Sequence, residues 1–321
     1  MPVRVRPAPT IAACVAILLV PFILAKSAGA QSIRAITQAP CAGTTVQANL
    51  FASRPAAWFE NLGFDGSGGM WIAEIGPNQI VRFNSAGASG ARVAAPYPGG
   101  IARGSDGLIY ADYGDEPVSG GLQLGQAGVV LFDPQATAPT ASNFVSGLQM
   151  ANGAAFDSAG NLYVSDTANG LITRIRPDGS IDTGWSNAAS LPSANGLAVS
   201  GRYLYATVTD DSDSSIYRIP LADPAARTRV AQLGVGGGAA PKILDDLAVG
   251  ADGRLYVTSG TGELLRVNPS TGAACLLYSG PPLTSARFAF HFAPFDPRTD
   301  LFVTSELGEV IHLHLISSRV G

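Results

Sequence analysis

The sequence holds only three Cys and three His in 321 residues. That scarcity leaves little material for a transition-metal centre, which draws on imidazole and thiolate. Charged residues make up 14 % of the chain. No basic block and no aromatic–basic interleaving occurs, so the electrostatic footprint of a nucleic-acid binder is missing. No stretch after residue 30 keeps a helical period, which excludes a helical bundle. No glycine-rich loop follows a strand and opens a helix, so a phosphate cradle is excluded. No Ser, His and Asp stand in an order that supports a nucleophilic triad; Ser165, Thr207, Thr258 and Ser305 simply end strand-like runs. The longest apolar run, residues 11–25, is fifteen residues interrupted by Pro21, short of the roughly 20 needed to span a bilayer.

Residues 1–30 instead follow the order of a secretory leader: Arg4 and Arg6, the apolar run, then Ala28-Gly29-Ala30. Cleavage after Ala30 would leave 291 residues with 17 basic and 24 acidic side chains, a net charge of −7. The expected location is secreted, periplasmic or cell-envelope, with no stable membrane insertion once the leader is gone. Two cysteines survive, Cys41 and Cys275. Export permits a disulfide between them; two separate thiols are the alternative. The expected organisation is a leader over 1–30, an irregular segment over 31–44 and one domain over 45–321.

What is abundant is Gly and Pro, 38 and 22 residues, and one phrase repeated six times. An apolar strand leads into a Gly or Asp turn, and Leu-aromatic-Val-Ser/Thr follows. Clear copies are 152–166 and 245–259. The strand-like runs are short and rich in β-branched and aromatic residues, as in 162–165, 204–207, 255–258 and 301–304. A further strand follows each, such as 171–175 and 264–267. Repetition of this length, in a chain dense in turns, predicts an all-β six-bladed propeller with four strands per blade. The last blade lacks an outer strand, and residues 45–51 are placed to supply it and close the ring.

Aligning the copies on the apolar residue before the turn gives anchors Phe64, Arg103, Phe156, Val199, Val249 and Phe295. Arg103 breaks the apolar pattern. Four residues earlier stand Glu60, Gly99, Asn152, Asn195, Asp245 and His291, spaced by 39, 53, 43, 50 and 46 residues. In a propeller these positions gather at one mouth of the central channel. Two carboxylates and two amides facing one another suit a hard divalent cation such as Ca2+. Without a cation, the carboxylates would repel and one would hold its proton. Gly99 leaves room for a ligand, and Asp246 stands ready as an extra donor. His291 reads as a cation ligand, a proton shuttle or a plug of the channel. Asn-Gly is also an ordinary turn pair, so each asparagine alone could be only that. Trp58, Trp71 and Trp185 read as packing residues, and His312 and His314 as facing solvent or the next blade.

Glu60, Asn152-Gly153, Asn195-Gly196 and Asp245, with the phrase around residues 151–166, resemble the SMP-30/gluconolactonase/LRE-like six-bladed propellers of the calcium-dependent phosphotriesterase superfamily. The likeness runs from about residue 58 to 315. It implies that Glu60, Asn195 and Asp245 hold the metal, with Asn152 as a fourth ligand or on the substrate side. It gives Asp245 the role of general base or nucleophile and suggests that His291 contributes to substrate binding or to a second ion site. The expected activity is hydrolysis of a small-molecule lactone or related ester. One departure bears on the substrate: sugar-lactone members carry Arg two places before the third-blade Asn, where this chain has Met150, pointing to a less polar substrate. Two other readings stay open. One is a non-catalytic exported propeller that binds a ligand or protein, with a structural cation or polar plug in its channel. The other is a lyase or synthase on the same scaffold.

Overall fold

In the computed structural model, residues 38–317 are described; the expected leader and the first half of the segment over 31–44 lie outside them. Six antiparallel sheets follow one another along the chain, five of four strands and one of three. The inner strands are Trp58–Phe64, Pro98–Arg103, Ala151–Phe156, Ala194–Ser200, Leu244–Val249 and Leu283–Phe288. The sheets are blades 1 to 6 of a propeller. Blade 6 is completed by Thr44–Ser53, which pairs antiparallel with Glu309–Ser317, Val46 opposite Leu315. The ring is therefore closed by the N-terminal strand, as the sequence predicts. Just ahead of that strand, Cys41 is disulfide-bonded to Cys275 of the outer strand of blade 5. The backbone reinforces the link: Cys41 N–H donates to Leu276 O at 3.0 Å and Leu276 N–H to Ala39 O at 2.8 Å. No helix among the described residues is long and apolar enough to cross a membrane.

The repeated phrase has a local cause. In the turn between inner and second strand, an Asp accepts backbone amides and then holds the next aromatic. Asp157 Oδ1 accepts from the amides of Ala159 and Asn161, and its Oδ2 accepts from Tyr163 O–H at 2.9 Å. Asp65 does the same with Ser67, Gly69 and the Trp71 indole, and Asp252 with Arg254 and Tyr256. The carboxylate thus fixes the hairpin and satisfies the one polar atom of a ring that otherwise packs in the core.

Apolar alternation along each strand sends side chains to both faces of a blade, where they meet the neighbouring blades. Six apolar clusters result, one for each pair of adjacent blades. Trp71 of blade 1 lies edge-on to Phe132 of blade 2, ring centres 4.8 Å apart. Blade 3 lacks a fourth strand; the helix Thr183–Ala188 takes its place, and Trp185 packs on Tyr163 at 4.9 Å. Asp182 caps that helix by accepting from Trp185 N–H.

Blade 6 differs from expectation in register. Its inner strand ends at Phe288, and the loop to Asp300 is far longer than in other blades. Phe295, expected as the anchor, sits in that loop and packs on Phe51, Phe292, Phe302 and His312. His312 and His314 both reach Asp300 Oδ1, at 2.7 and 2.8 Å, so they serve their own blade instead of facing its neighbour or solvent alone.

Candidate active site

Strand pairing sets one equivalent position in all six blades. After Phe59, Pro98, Ala151, Ala194, Leu244 and Leu283, each inner strand skips a register step before pairing resumes. The residues at the skip are Glu60, Gly99, Asn152, Asn195, Asp245 and Thr284. Five of the six match the sequence-derived column. The sixth does not: His291 lies in the exposed loop beyond the far end of its strand, with φ 48°, and takes no part in this ring. Thr284 holds its place, donating through Oγ1 to Phe59 O across the blade 6–blade 1 seam.

The next position inward reads Asn61, Gly100, Gly153, Gly196, Asp246 and Ser285. Asn152-Gly153 and Asn195-Gly196 are thus not turns, because both pairs run within inner strands. Glycine is required there by the close approach of the next blade. A Cβ on Gly153 would lie 2.3 Å from Asn195 O, and one on Gly196 2.4 Å from Asp246 Cα. Hydroxyls on the second strands pin this geometry. Ser165 accepts from Gly153 N–H at 2.8 Å and donates to Asn195 O; Thr207 accepts from Gly196 N–H at 2.8 Å and donates to Asp245 O. Thr258 repeats the pattern with Asp246 N–H and Thr284 O, at 3.0 and 2.6 Å. Each hydroxyl fixes the backbone of a ring residue in the following blade.

Both asparagines are oriented by their amide groups. Asn195 Nδ2 donates to Thr209 Oγ1 at 2.9 Å, and its Oδ1 is buried without a partner. Asn152 Nδ2 donates to Asp115 Oδ2 at 3.0 Å. Asp115 belongs to the insert of blade 2 and is buried, with its Oδ1 unpaired. Glu60 is buried and accepts from the Trp58 indole N–H, so Trp58 is more than a packing residue. Glu306, in the turn between two strands of blade 6, adds a further carboxylate to the same field.

The electrostatics are one-sided. Burial pushes the Glu60 carboxyl up to about 8, aided by Asp115, Glu306 and Asp246, with the Trp58 N–H opposing. Burial raises Asp115 to about 7 against the Asn152 N–H. Asp245 is held well above the usual carboxylate range by burial first and then by Glu60, Asp246, Asp115 and Glu306. Among the described residues no cationic side chain is a leading influence on any of the three. Asp246 is different: one layer below, its Oδ2 accepts from Asn61 Nδ2 at 3.2 Å, Ser285 O–H and Arg287 Nη1. That saturated network floors the site, so Asp246 is engaged elsewhere and is no spare ring donor.

Among the described residues no three His, Cys, Asp or Glu side chains form a ready-made metal cage. The mouth instead mixes carboxylates with amides. Its donor set suits a hard cation: carboxylates that destabilise one another, an orphaned amide oxygen on Asn195 and an orphaned carboxylate oxygen on Asp115. Asp115 and Glu306 escaped sequence reading because they lie outside the repeat. Asp115 follows the second strand of blade 2 in the non-repeating insert, and Glu306 sits in an ordinary-looking Ser-Glu-Leu-Gly turn.

Around this mouth the blade loops expose apolar side chains. Trp58 and Tyr97 are each 40 % exposed, and Ile243 and Leu307 more so. Each is tied locally to the site. Trp58 touches Glu60, Tyr97 O accepts from Asp115 N–H at 3.0 Å, Ile243 precedes Leu244-Asp245, and Leu307 follows Glu306.

Comparison with known proteins agrees with this architecture. Residues 232–267, which include Asp245, match the family model "Strictosidine synthase-like, N-terminal". No curated protein matches the sequence. Among solved structures, a gluconolactonase from Xanthomonas campestris is similar at 18 % identity and TM-score 0.66, over 84 % of this chain and 90 % of that one. The PQQ-bound aldose sugar dehydrogenase of Streptomyces coelicolor is similar at 17 % and 0.60, over 87 % and 100 %. A virginiamycin B lyase of Staphylococcus aureus is similar at 14 % and 0.55, over 85 % and 100 %. At these identities what is shared is the fold: the chain is a six-bladed β-propeller of the architecture common to gluconolactonase, lyase and sugar dehydrogenase.

Proposed function

We propose that the chain is an exported member of the SMP-30/gluconolactonase-like group, a hydrolase of a lactone or related ester acting at a divalent cation, most simply Ca2+. The supporting observation is the uncompensated charge at one channel mouth. Three carboxyls hold their protons there, each through burial first, with Asp115 raising Glu60 and both of these raising Asp245, beside an amide oxygen with no partner. Fold alone would not choose this chemistry, because neighbours of the same fold include a lyase and a dehydrogenase.

Glu60, Asn195 and Asp245 would hold the cation, with Asn152 beside them and Asp115 as an added donor. When bound, such an ion polarises an ester carbonyl and stabilises charge developing on its oxygen. Asp245 keeps partial contact with solvent at the mouth and has no hydrogen-bonding side chain to occupy it. It is the group free to take a proton from an attacking water, or to attack the carbonyl itself. Asn152, locked through Nδ2 to Asp115, presents its oxygen side to ligand. The apolar rim of Trp58, Tyr97, Ile243 and Leu307, with Met150 in place of a cation, supports a substrate less polar than a sugar-acid lactone. The Cys41–Cys275 bond supports an oxidising location, consistent with the expected leader.

The test is turnover of a panel of lactones, esters and phosphotriesters by metal-stripped and calcium-restored protein. Calcium-dependent hydrolysis that Asp245→Asn abolishes supports the reading. A protein that binds calcium yet turns over nothing fits the non-catalytic propeller instead. One that binds neither calcium nor substrate overturns the site.

A further inference from the structure

The opposite mouth of the channel holds a second cavity, of about 390 Å3. It is built by residues at the ends of the inner strands: Phe64, Arg103, Phe156, Val199, Val249 and Phe288, each the last of its strand except Val199, which is the last but one. Five of these six are apolar and one is arginine, the exception already visible in the sequence. Phe290 overhangs the cavity and is 46 % exposed. It also borders a neighbouring hollow of about 550 Å3 walled by Phe292, Pro294 and Phe295. The saturated Asp246–Ser285–Asn61 network and the apolar layer of Leu62, Ile101, Leu197 and Leu247 separate this cavity from the carboxylate mouth.

No acidic residue lines the cavity, while two arginines do. Arg287 is already neutralised through Nη1 by Asp246. Arg103 donates Nε–H to Asp65 O at 2.8 Å, which aims and holds its guanidinium. Among the described residues no carboxylate pairs with it: Asp65 is bound to Arg82 at 2.9 Å, and Asp106, which with Asp133 lines a shallow hollow that Arg103 also borders, accepts from Leu108 N–H and Tyr110 O–H instead. A held guanidinium with a free edge, set into an otherwise aromatic and aliphatic wall, is a pattern for one anionic head and one apolar body.

We propose that this cavity is a second ligand site, distinct from the carboxylate mouth, that takes small amphipathic carboxylates. The carboxylate sits on the Arg103 guanidinium edge, and the hydrocarbon lies against Phe64, Phe156, Phe288 and Phe290. Without metal the carboxylate mouth offers such a ligand no cationic partner, so the two sites separate cleanly in experiment.

The test is calorimetric titration of the full chain, in chelator, with butyrate, hexanoate, octanoate and octanol. Affinity is expected to rise about threefold to fourfold for each added methylene until the cavity is full. Octanoate is expected to bind at least about tenfold more tightly than octanol, and Arg103→Gln to remove that advantage while leaving octanol binding unchanged. Phe290→Ala should weaken both. Neither residue belongs to the carboxylate mouth, so any calcium-dependent turnover should persist in both variants. Equal binding of octanoate and octanol, an unaltered preference in Arg103→Gln, or no binding of octanoate at all would each overturn the proposal. If Arg103→Gln loses its fold, Arg103→Lys should keep the preference in weakened form, since it retains charge without the planar edge; an undiminished preference in folded Arg103→Lys would overturn the role of the guanidinium.

Discussion

Removing divalent cations and raising the pH should destabilise this protein through the carboxylate mouth. Glu60, Asp115 and Asp245 all hold their protons more tightly in the folded chain than an unfolded chain would. The folded state therefore binds more protons than the unfolded one, and stability falls as pH rises. The window opens near the ordinary carboxylate values, 4.5 for Glu60 and 3.8 for Asp115, and closes near about 8 and about 7. Each proton held only by the folded state contributes a slope of about 1.4 kcal/mol per pH unit. The groups share one site, so ionising one suppresses the next. One to two protons, or about 1.4 to 3 kcal/mol per unit, is the expected slope across the middle of the window. Acids with lowered pKa, such as Asp65, Asp157 and Asp300, act oppositely, but their contribution is lost only as pH falls below about 4. The assay is urea unfolding in chelator from about pH 5 to about 8, repeated in millimolar calcium and with Glu60→Gln. Calcium should flatten the slope and stabilise most at the alkaline end, where the ligands are ionised. Glu60→Gln should reduce the slope by one proton's worth. A chelated protein whose stability is constant or rises over that range, with Glu60→Gln parallel to it, would refute the argument.

Other predictions follow from single features. Asp245→Asn should lower turnover by at least about a hundredfold yet raise the stability of the chelated protein near neutral pH, because it removes an acid that ionises there only against burial and Glu60; opposite movement in the two readouts separates function from fold. Asp112→Thr should stabilise by about 1–3 kcal/mol in a urea titration. Asp112 is fully buried, neither of its oxygens has a well-formed hydrogen bond, and it stands where Ser165, Thr207 and Thr258 carry hydroxyls. If the substitution destabilises, Asp112 serves a role that hydroxyl geometry does not supply. Replacing Cys41 and Cys275 together by Ala should cost up to about 5 kcal/mol in the chain-entropy account of so long a loop. That corresponds to a fall in melting temperature on the order of 10 °C, and the variant should be indifferent to reductant while the parent is not.

How much of this could be read from the sequence depends on where the repeat holds. The phrase is legible because each copy solves the same local problem: an Asp or Gly turn fixes the hairpin, and an aromatic with a polar tip reaches back to that turn, as Tyr163 does to Asp157. Copies 3 and 5 keep the turn length, and copy 4 loses one residue only inside its turn, after the inner strand, where Val199 pairs with Leu204; Asn152, Asn195 and Asp245 therefore still fall in register. The closing strand is legible too, since Thr44–Ser53 alternates against Glu309–Ser317. The absence of a fourth strand from blade 3 is not, because Trp185 fills that volume from a helix and needs no strand pattern to do so.

Blade 6 shows why register fails where it does. Residues 295–304, Phe-Asp-Pro-Arg-Thr-Asp-Leu-Phe-Val-Thr, imitate the phrase at 156–165, Phe-Asp-Ser-Ala-Gly-Asn-Leu-Tyr-Val-Ser. In blade 3 that phrase is one strand end, a tight turn and the next strand. In blade 6 the inner strand has already ended at Phe288, and Phe295 is instead drawn into a cluster with Phe51, Phe292 and Phe302. Burying those four rings where the closing strand meets the first and last blades is worth several kcal/mol, enough to dictate where the loop lies. The pattern in the sequence is therefore answered by seam packing and not by the channel. That single displacement moves His291 out of the ring and puts Thr284 in it. A threonine whose hydroxyl is spent on Phe59 O bridges the closing seam, so the site is asymmetric by construction: its charge comes from blades 1, 2 and 5 and the blade 6 turn, while the blade 6 inner strand contributes the lock that keeps the circle shut.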